Sequence, residues 1–163
     1  MESLTIEMAH TMTMERGHLR KTLLVITSTG GGWGWRPSKF WTILGRTVAG
    51  RNNYDRHTFW NSIAYYILVQ DFAGDGPRQR PTDKQWKNSY SAFPEIIEKL
   101  SPEKVIVLGD KLWSHAMQAE PTVADGMVKF NSVTSEVMHL IHPSSYGFRS
   151  DDHYPKVSVF LNK

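Results

Sequence analysis

Residues 82–109, TDKQWKNSYSAFPEIIEKLSPEKVIVLG, decide the fold class. Thr82 is a helix N-cap residue, Gln85 three positions on can reach back to it, and Pro81 keeps the chain from turning helical any earlier. Trp86, Phe93, Ile96, Ile97 and Leu100 then recur at helical spacing and form one apolar stripe. The pattern predicts a helix that stops near Ser101-Pro102. Directly after it, Lys104 to Gly109 (KVIVLG) is β-branched and apolar on both faces, as a strand buried inside a parallel sheet must be.

Working outward, Ile63 to Val69 (IAYYILV) has the same character and predicts a second buried strand. Asp110 to Met117 predicts a short helix behind the Lys104–Gly109 strand. Val137 to Ile141 predicts a third strand that runs straight into His142-Pro143-Ser144-Ser145. Strands and helices alternating over short connections mean an α/β sandwich around a largely parallel sheet. Such sheets carry their working residues in the loops beyond the carboxyl ends of the strands. Three loops qualify: after Val69, at Gly109 and at His142. Nearer the N-terminus, Phe40 to Val48 predicts a helix begun by Ser38 and stopped near Gly50. Arg16 to Thr27 fits helical spacing, yet Leu24 to Thr27 is equally a strand run, and periodicity leaves both open.

Composition narrows the function classes. A chain of 163 residues makes one domain and can bury a core without a disulfide or metal staple. It has no cysteine, which excludes a disulfide scaffold, a thiolate nucleophile and cysteine-held metal, and fits a reducing compartment. Nineteen Lys and Arg against sixteen Asp and Glu give a formal charge of +3 and a pI near 9.2, which permits a nucleic-acid partner without requiring one. The apolar runs at Leu23–Ile26 and Val105–Leu108 are far short of a membrane span of roughly 20 residues. MESLTIEMAHTMTMERGH has no basic stretch followed by an apolar one, so a cytoplasmic, monomeric protein with no membrane partner is expected. Gly30-Gly31-Gly32-Trp33-Gly34 lacks the Gly-Lys-Ser/Thr ending of a phosphate loop and reads as a loop carrying Trp33 and Trp35. The seven histidines show no paired spacing with an acid, and no metal is expected.

In His142-Pro143-Ser144-Ser145, proline stiffens the chain as it leaves the sheet and holds the imidazole near the strand end. Ser144 and Ser145 offer N–H groups and hydroxyls to a phosphate. Tyr146, Phe148 and Arg149 then supply what a loop wedging into stacked bases needs.

The stretch from Phe59 to Trp113, taken with the later IHPSSYGF, resembles the uracil-DNA glycosylase superfamily. The features that match are a strand leading to Gly76-Pro77-Arg78-Gln79-Arg80-Pro81-Thr82, a helix, a strand ending in Leu108-Gly109, and a closing His-Pro-Ser loop. The resemblance spans Phe40 to Phe148. It implies a three-layer α/β/α sandwich with a four-stranded, mostly parallel sheet, and an enzyme that flips a base from DNA and hydrolyses its glycosidic bond with no cofactor.

Carried over by position, His142 would donate to the departing base, and Pro143, Ser144 and Ser145 would hold the neighbouring phosphate. Tyr146, Phe148 or Arg149 would fill the gap in the stack, with Arg78 and Arg80 also on the DNA. Phe40 matches the aromatic on which the extruded base stacks, and is equally well read as a core residue of its helix. The superfamily's base-reading asparagine is replaced here by Ile67, preceded by Tyr65 and Tyr66; Asn61 lies early for that role. A pocket with isoleucine there suits a modified base, such as one in phage DNA, read by shape and stacking. The family's opening strand ends in a water-positioning acid or amide. Glu2 is the remnant of that motif if the first strand is missing, and Asp71 or Asp75 are substitutes, unless they only solubilise their loop. Two rivals remain: a non-catalytic DNA-binding module of the same fold, and an enzyme acting on free nucleosides or nucleotides.

Overall fold

The computed structural model describes residues 22–26, 39–50, 55–69, 80–118, 122–124 and 127–162. Among these, eleven elements follow in order: β1 (Thr22–Ile26), α1 (Lys39–Ala49), α2 (Arg56–Trp60), β2 (Ala64–Ile67), α3 (Asp83–Leu100), β3 (Lys104–Leu108), α4 (Asp110–Met117), β4 (Thr122–Ala124), β5 (Met127–Phe130), β6 (Val133–Leu140) and α5 (Ser150–Leu161). No helix among the described residues is long and apolar enough to cross a membrane.

The protein is α/β, with one mixed sheet in the order β2-β1-β3-β6-β5-β4. The pairs β2–β1, β1–β3 and β3–β6 are parallel, while β5 and β4 add on antiparallel. The expected four-stranded sheet therefore does not hold. The two extra strands come from a hairpin at residues 122–130, whose three- and four-residue strands are too short for alternation to register in the sequence. The segment left open between helix and strand is settled as β1, lodged between β2 and β3, where it donates and accepts along both edges.

Helix α3 forms for the reason its sequence indicates. The Gln85 N–H donates to Thr82 Oγ1 at 3.3 Å, and the Thr82 N–H donates to Gln85 Oε1 at 2.8 Å, closing a capping box. Ser101 ends it in the left-handed region (φ 43°), with its N–H on the Ile97 carbonyl at 2.8 Å. Pro94 sits inside the helix and removes one ladder donor. The helix continues because Trp86, Phe93 and Ile97 are buried on either side of the defect.

Alternation along β3 divides the core between the two faces of the sheet. Val105 and Val107 face Trp86, Phe93 and Ile97 of α3, Leu112 and Ala116 of α4, and Val128 and Phe130 of β5. Ile106 and Leu108 face the opposite way, toward Leu44 and Val48 of α1, Phe59 of α2, and Val157, Phe160 and Leu161 of α5. Burial of this order, at about 1.5–3 kcal/mol per large apolar side chain, is what opposes the chain entropy.

Strand β6 begins four residues earlier than its apolar run suggests, at Val133 rather than Val137. Ser135 is fully buried there and donates to the Pro102 carbonyl at 2.6 Å, so a hydroxyl sits in the core with its partner supplied. The C-terminal helix α5 packs on α1. At their contact Gly50 (φ +82°) ends α1, and Tyr154 comes so close that a Cβ on Gly50 would lie 2.7 Å from its ring. Lys104 hydrogen-bonds the Phe160 carbonyl and lies 3.7 Å from Glu136, which ties the last turn of α5 to β3 and β6.

Candidate active site at the carboxyl edge of the sheet

Register places Ile67, Ile26, Leu108 and Leu140 in one row across β2, β1, β3 and β6. The chain leaves all four strands at the same edge, so the loops beginning at Leu68, Gly109 and Ile141 open side by side. Gly109 makes the tightest exit. Its N–H donates to the Leu140 carbonyl at 2.7 Å, and its φ of +120° turns the chain directly into α4. A Cβ built there would sit 3.7 Å from His142 Cβ, so the β3–α4 turn is packed against the histidine.

His142 is half-buried and its ring lies over Phe40, with centroids 5.2 Å apart and planes 26° from parallel. The Ser144 N–H donates to His142 Nδ1 at 3.2 Å. A nitrogen that accepts carries no proton, so in the neutral ring the proton is on Nε2. Burial pushes the imidazole below its ordinary value of 6.5, which favours that neutral form. The result is a neutral N–H donor at the end of the last parallel strand, backed by an aromatic ring.

The His142 loop is organised by its own turns. The Ser145 N–H donates to the His142 carbonyl at 2.8 Å and the Phe148 N–H to the Ser145 carbonyl at 3.2 Å. Both serine N–H groups expected to face a phosphate are thus already committed, and only the exposed hydroxyls of Ser144 and Ser145 remain for it. Pro143 is buried beneath them. The three wedge candidates separate. Phe148 stacks on His153 at 4.3 Å, and Arg149 Nε lies 3.9 Å from Asp152. Tyr146 is fully exposed, presented beside Gly147 at φ +78°.

Phe40 both belongs to the core of its helix and faces the site, since it packs against the α1 side of the sheet while touching His142. It begins a run of edge-to-face aromatics: Phe40 to Trp41 at 4.8 Å, Trp41 to Trp60 at 5.1 Å and to Tyr65 at 5.6 Å. Trp41 and Trp60 are additions that sequence reasoning missed; their spacing from Phe40 and Tyr65 showed nothing until α1 and α2 came together. Of the three β2 candidates, Tyr65 and Ile67 share this face. Tyr66 does not: the two-residue period of the strand sends it to the other side, stacked on Phe93 at 6.2 Å. Asn61 precedes β2, is exposed, and contacts His57, at the opposite end of the strand from the site.

His139 and His142 point to opposite sides of the sheet. His139 stacks on Trp113 of α4 at 5.5 Å and lies 3.1 Å from Asp110. No group of three metal-ligating side chains occurs among the described residues. Arg80 is exposed just before the α3 cap; Lys39, Arg46, Arg149 and Lys156 are also exposed. Glu2, Asp71, Asp75, Arg78, Trp33 and Trp35 lie outside the described residues.

No family model matches the chain. No curated protein matches it in sequence. The site therefore rests on its own geometry.

Proposed function

We propose that the chain is a monofunctional DNA glycosylase of the uracil-DNA glycosylase type, built on that superfamily's three-layer arrangement. It hydrolyses the N-glycosidic bond of a uracil or modified base turned out of the DNA stack and leaves an abasic site. The observation that carries this reading is the state of His142: Nδ1 held by the Ser144 N–H, Nε2–H left to donate, and Phe40 behind the ring.

As the glycosidic bond breaks, electrons move onto the departing base and the sugar becomes oxocarbenium-like. A neutral imidazole N–H already fixed in place stabilises that charge without reorganising, an effect of about 2.7–4 kcal/mol for a single donor. Phe40 and the aromatic run behind it suit a stacked planar ligand. The hydroxyls of Ser144 and Ser145 are free for the adjacent phosphate, and exposed Tyr146 suits the gap left in the stack. Arg80 and Arg149 would add sequence-independent attraction to the backbone. Defence against phage carrying modified DNA, or repair, are the settings that such a reaction serves.

The test is product formation. Duplexes bearing uracil or modified pyrimidines should acquire alkali-labile abasic sites on incubation, and His142→Ala should lower the rate by about 10²–10³-fold. Salt-sensitive binding with no abasic product would establish the non-catalytic module instead. Turnover of free nucleosides, unaffected by Tyr146→Ala, would establish the small-substrate enzyme.

A further inference from the structure

We infer that the Tyr65 hydroxyl is the group that reads the base in this site, contacting the exocyclic substituent at position 4 of a pyrimidine. This inference rests on the glycosylase reading above. Tyr65 lies on β2, on the sheet face shared by Phe40, and its ring is set by edge-to-face contacts with Trp41 at 5.6 Å and Trp60 at 6.2 Å. The hydroxyl has no hydrogen-bond partner among the described residues, although the ring is half-buried. Buried phenols ordinarily find a partner, so one left without is available to a ligand. Burial also pushes the phenol up from 10.0, so it stays protonated and able to donate.

Placement assigns it to position 4. His142 leaves β6 and Tyr65 stands on β2, with β3 and β1 between them, a separation of roughly 14 Å between strand backbones. Charge from the breaking bond collects on the ring oxygen next to the glycosidic nitrogen, which for a pyrimidine is O2, and His142 serves that side. The group on the far side of the ring from O2 is the substituent at position 4. A phenol there reads differently from a carboxamide. Its single rotating O–H donates to a carbonyl or accepts from an amino group, whereas an amide matches one donor–acceptor pair at fixed spacing. With Ile67 next on the same face and contributing no polar atom, the site accepts pyrimidines with either a 4-oxo or a 4-amino group.

The experiment compares wild type with Tyr65→Phe, which keeps the ring against Trp41 and Trp60. Oligonucleotides would carry uracil or a 5-substituted uracil, each beside its counterpart lacking the oxygen at position 4. Loss of the hydroxyl should lower kcat/KM by about tenfold on the 4-oxo bases and leave the 4-deoxy counterparts unchanged. Equal loss on both members of a pair, or loss on neither, overturns the role of Tyr65 while leaving the glycosylase reading intact. Absence of base release by wild type from every duplex overturns both. Matching thermal unfolding of the two proteins shows that the fold is not the cause.

Discussion

The Ser144 N–H donates to Nδ1 of His142 at 3.2 Å, and this bond selects the nitrogen that carries the ring proton. Protonating the ring would put a second hydrogen on Nδ1, where the Ser144 N–H already points. The loop and the charge state of His142 are therefore linked, and burial acts in the same direction by lowering the value from 6.5.

A pH dependence follows with a definite sign. A histidine lowered in the folded state binds fewer protons folded than unfolded. Its stabilising contribution is complete above 6.5 and is lost as pH falls through the lowered value. His115 adds to the trend: burial and then Lys111 lower it, against Asp83, which raises it. The melting temperature should be level above 6.5 and fall on acidification, with His142→Phe removing part of the slope. Base release should likewise hold constant down to 6.5 and decline only below it; a decline beginning above 6.5 would contradict the neutral-donor role.

Tyr146 is exposed over its whole side chain, so Tyr146→Ala should leave stability within about 0.5 kcal/mol of wild type. Stacking on a base is worth about 1–3 kcal/mol, so affinity for DNA should fall roughly 5- to 150-fold. Fluorescence anisotropy with a labelled duplex, alongside urea unfolding, separates the two effects.

Gly50→Ala should be costly. The left-handed φ of +82° strains any L side chain, and the new Cβ would meet the Tyr154 ring at 2.7 Å. A loss of about 1–3 kcal/mol is expected from the backbone alone. Adding Tyr154→Ala should fail to restore stability fully, because it relieves the clash and not the backbone strain. Denaturant midpoints of the single and double variants read this directly.

Thr82→Ala removes the hydroxyl that accepts from the Gln85 N–H and should cost about 1 kcal/mol. Because the cap is far from the histidine in sequence and acts only at the start of α3, base release at low temperature should be unchanged. A stability loss near zero would mean that α3 is held by its buried face alone.

Local chemistry was sufficient for several parts of the molecule. The α3 capping box, the stop at Ser101, the all-apolar β3 and the exit of β6 into His142 all depend on residues within a few positions of one another. Their physical causes are therefore present in a short window of sequence. The site was legible to the same extent: a histidine at a strand end, with serines and aromatics beyond it.

Tertiary contact decided the rest. Tyr65 and Tyr66 are neighbours of the same type, and only the sheet's orientation shows that the first shares a face with Phe40 while the second packs on Phe93. The Phe40–His142 stack joins residues about a hundred positions apart, and the commitment of the serine N–H groups depends on the closed loop. The β4–β5 hairpin is too short to announce itself and exists because β6 offers it an edge. Helix α5 forms around Pro155 because Val157, Phe160 and Leu161 bury against α1 and the sheet. Periodicity reports which residues need burying; which partner buries them is set by the packing of distant segments, and that is where this site acquires its shape.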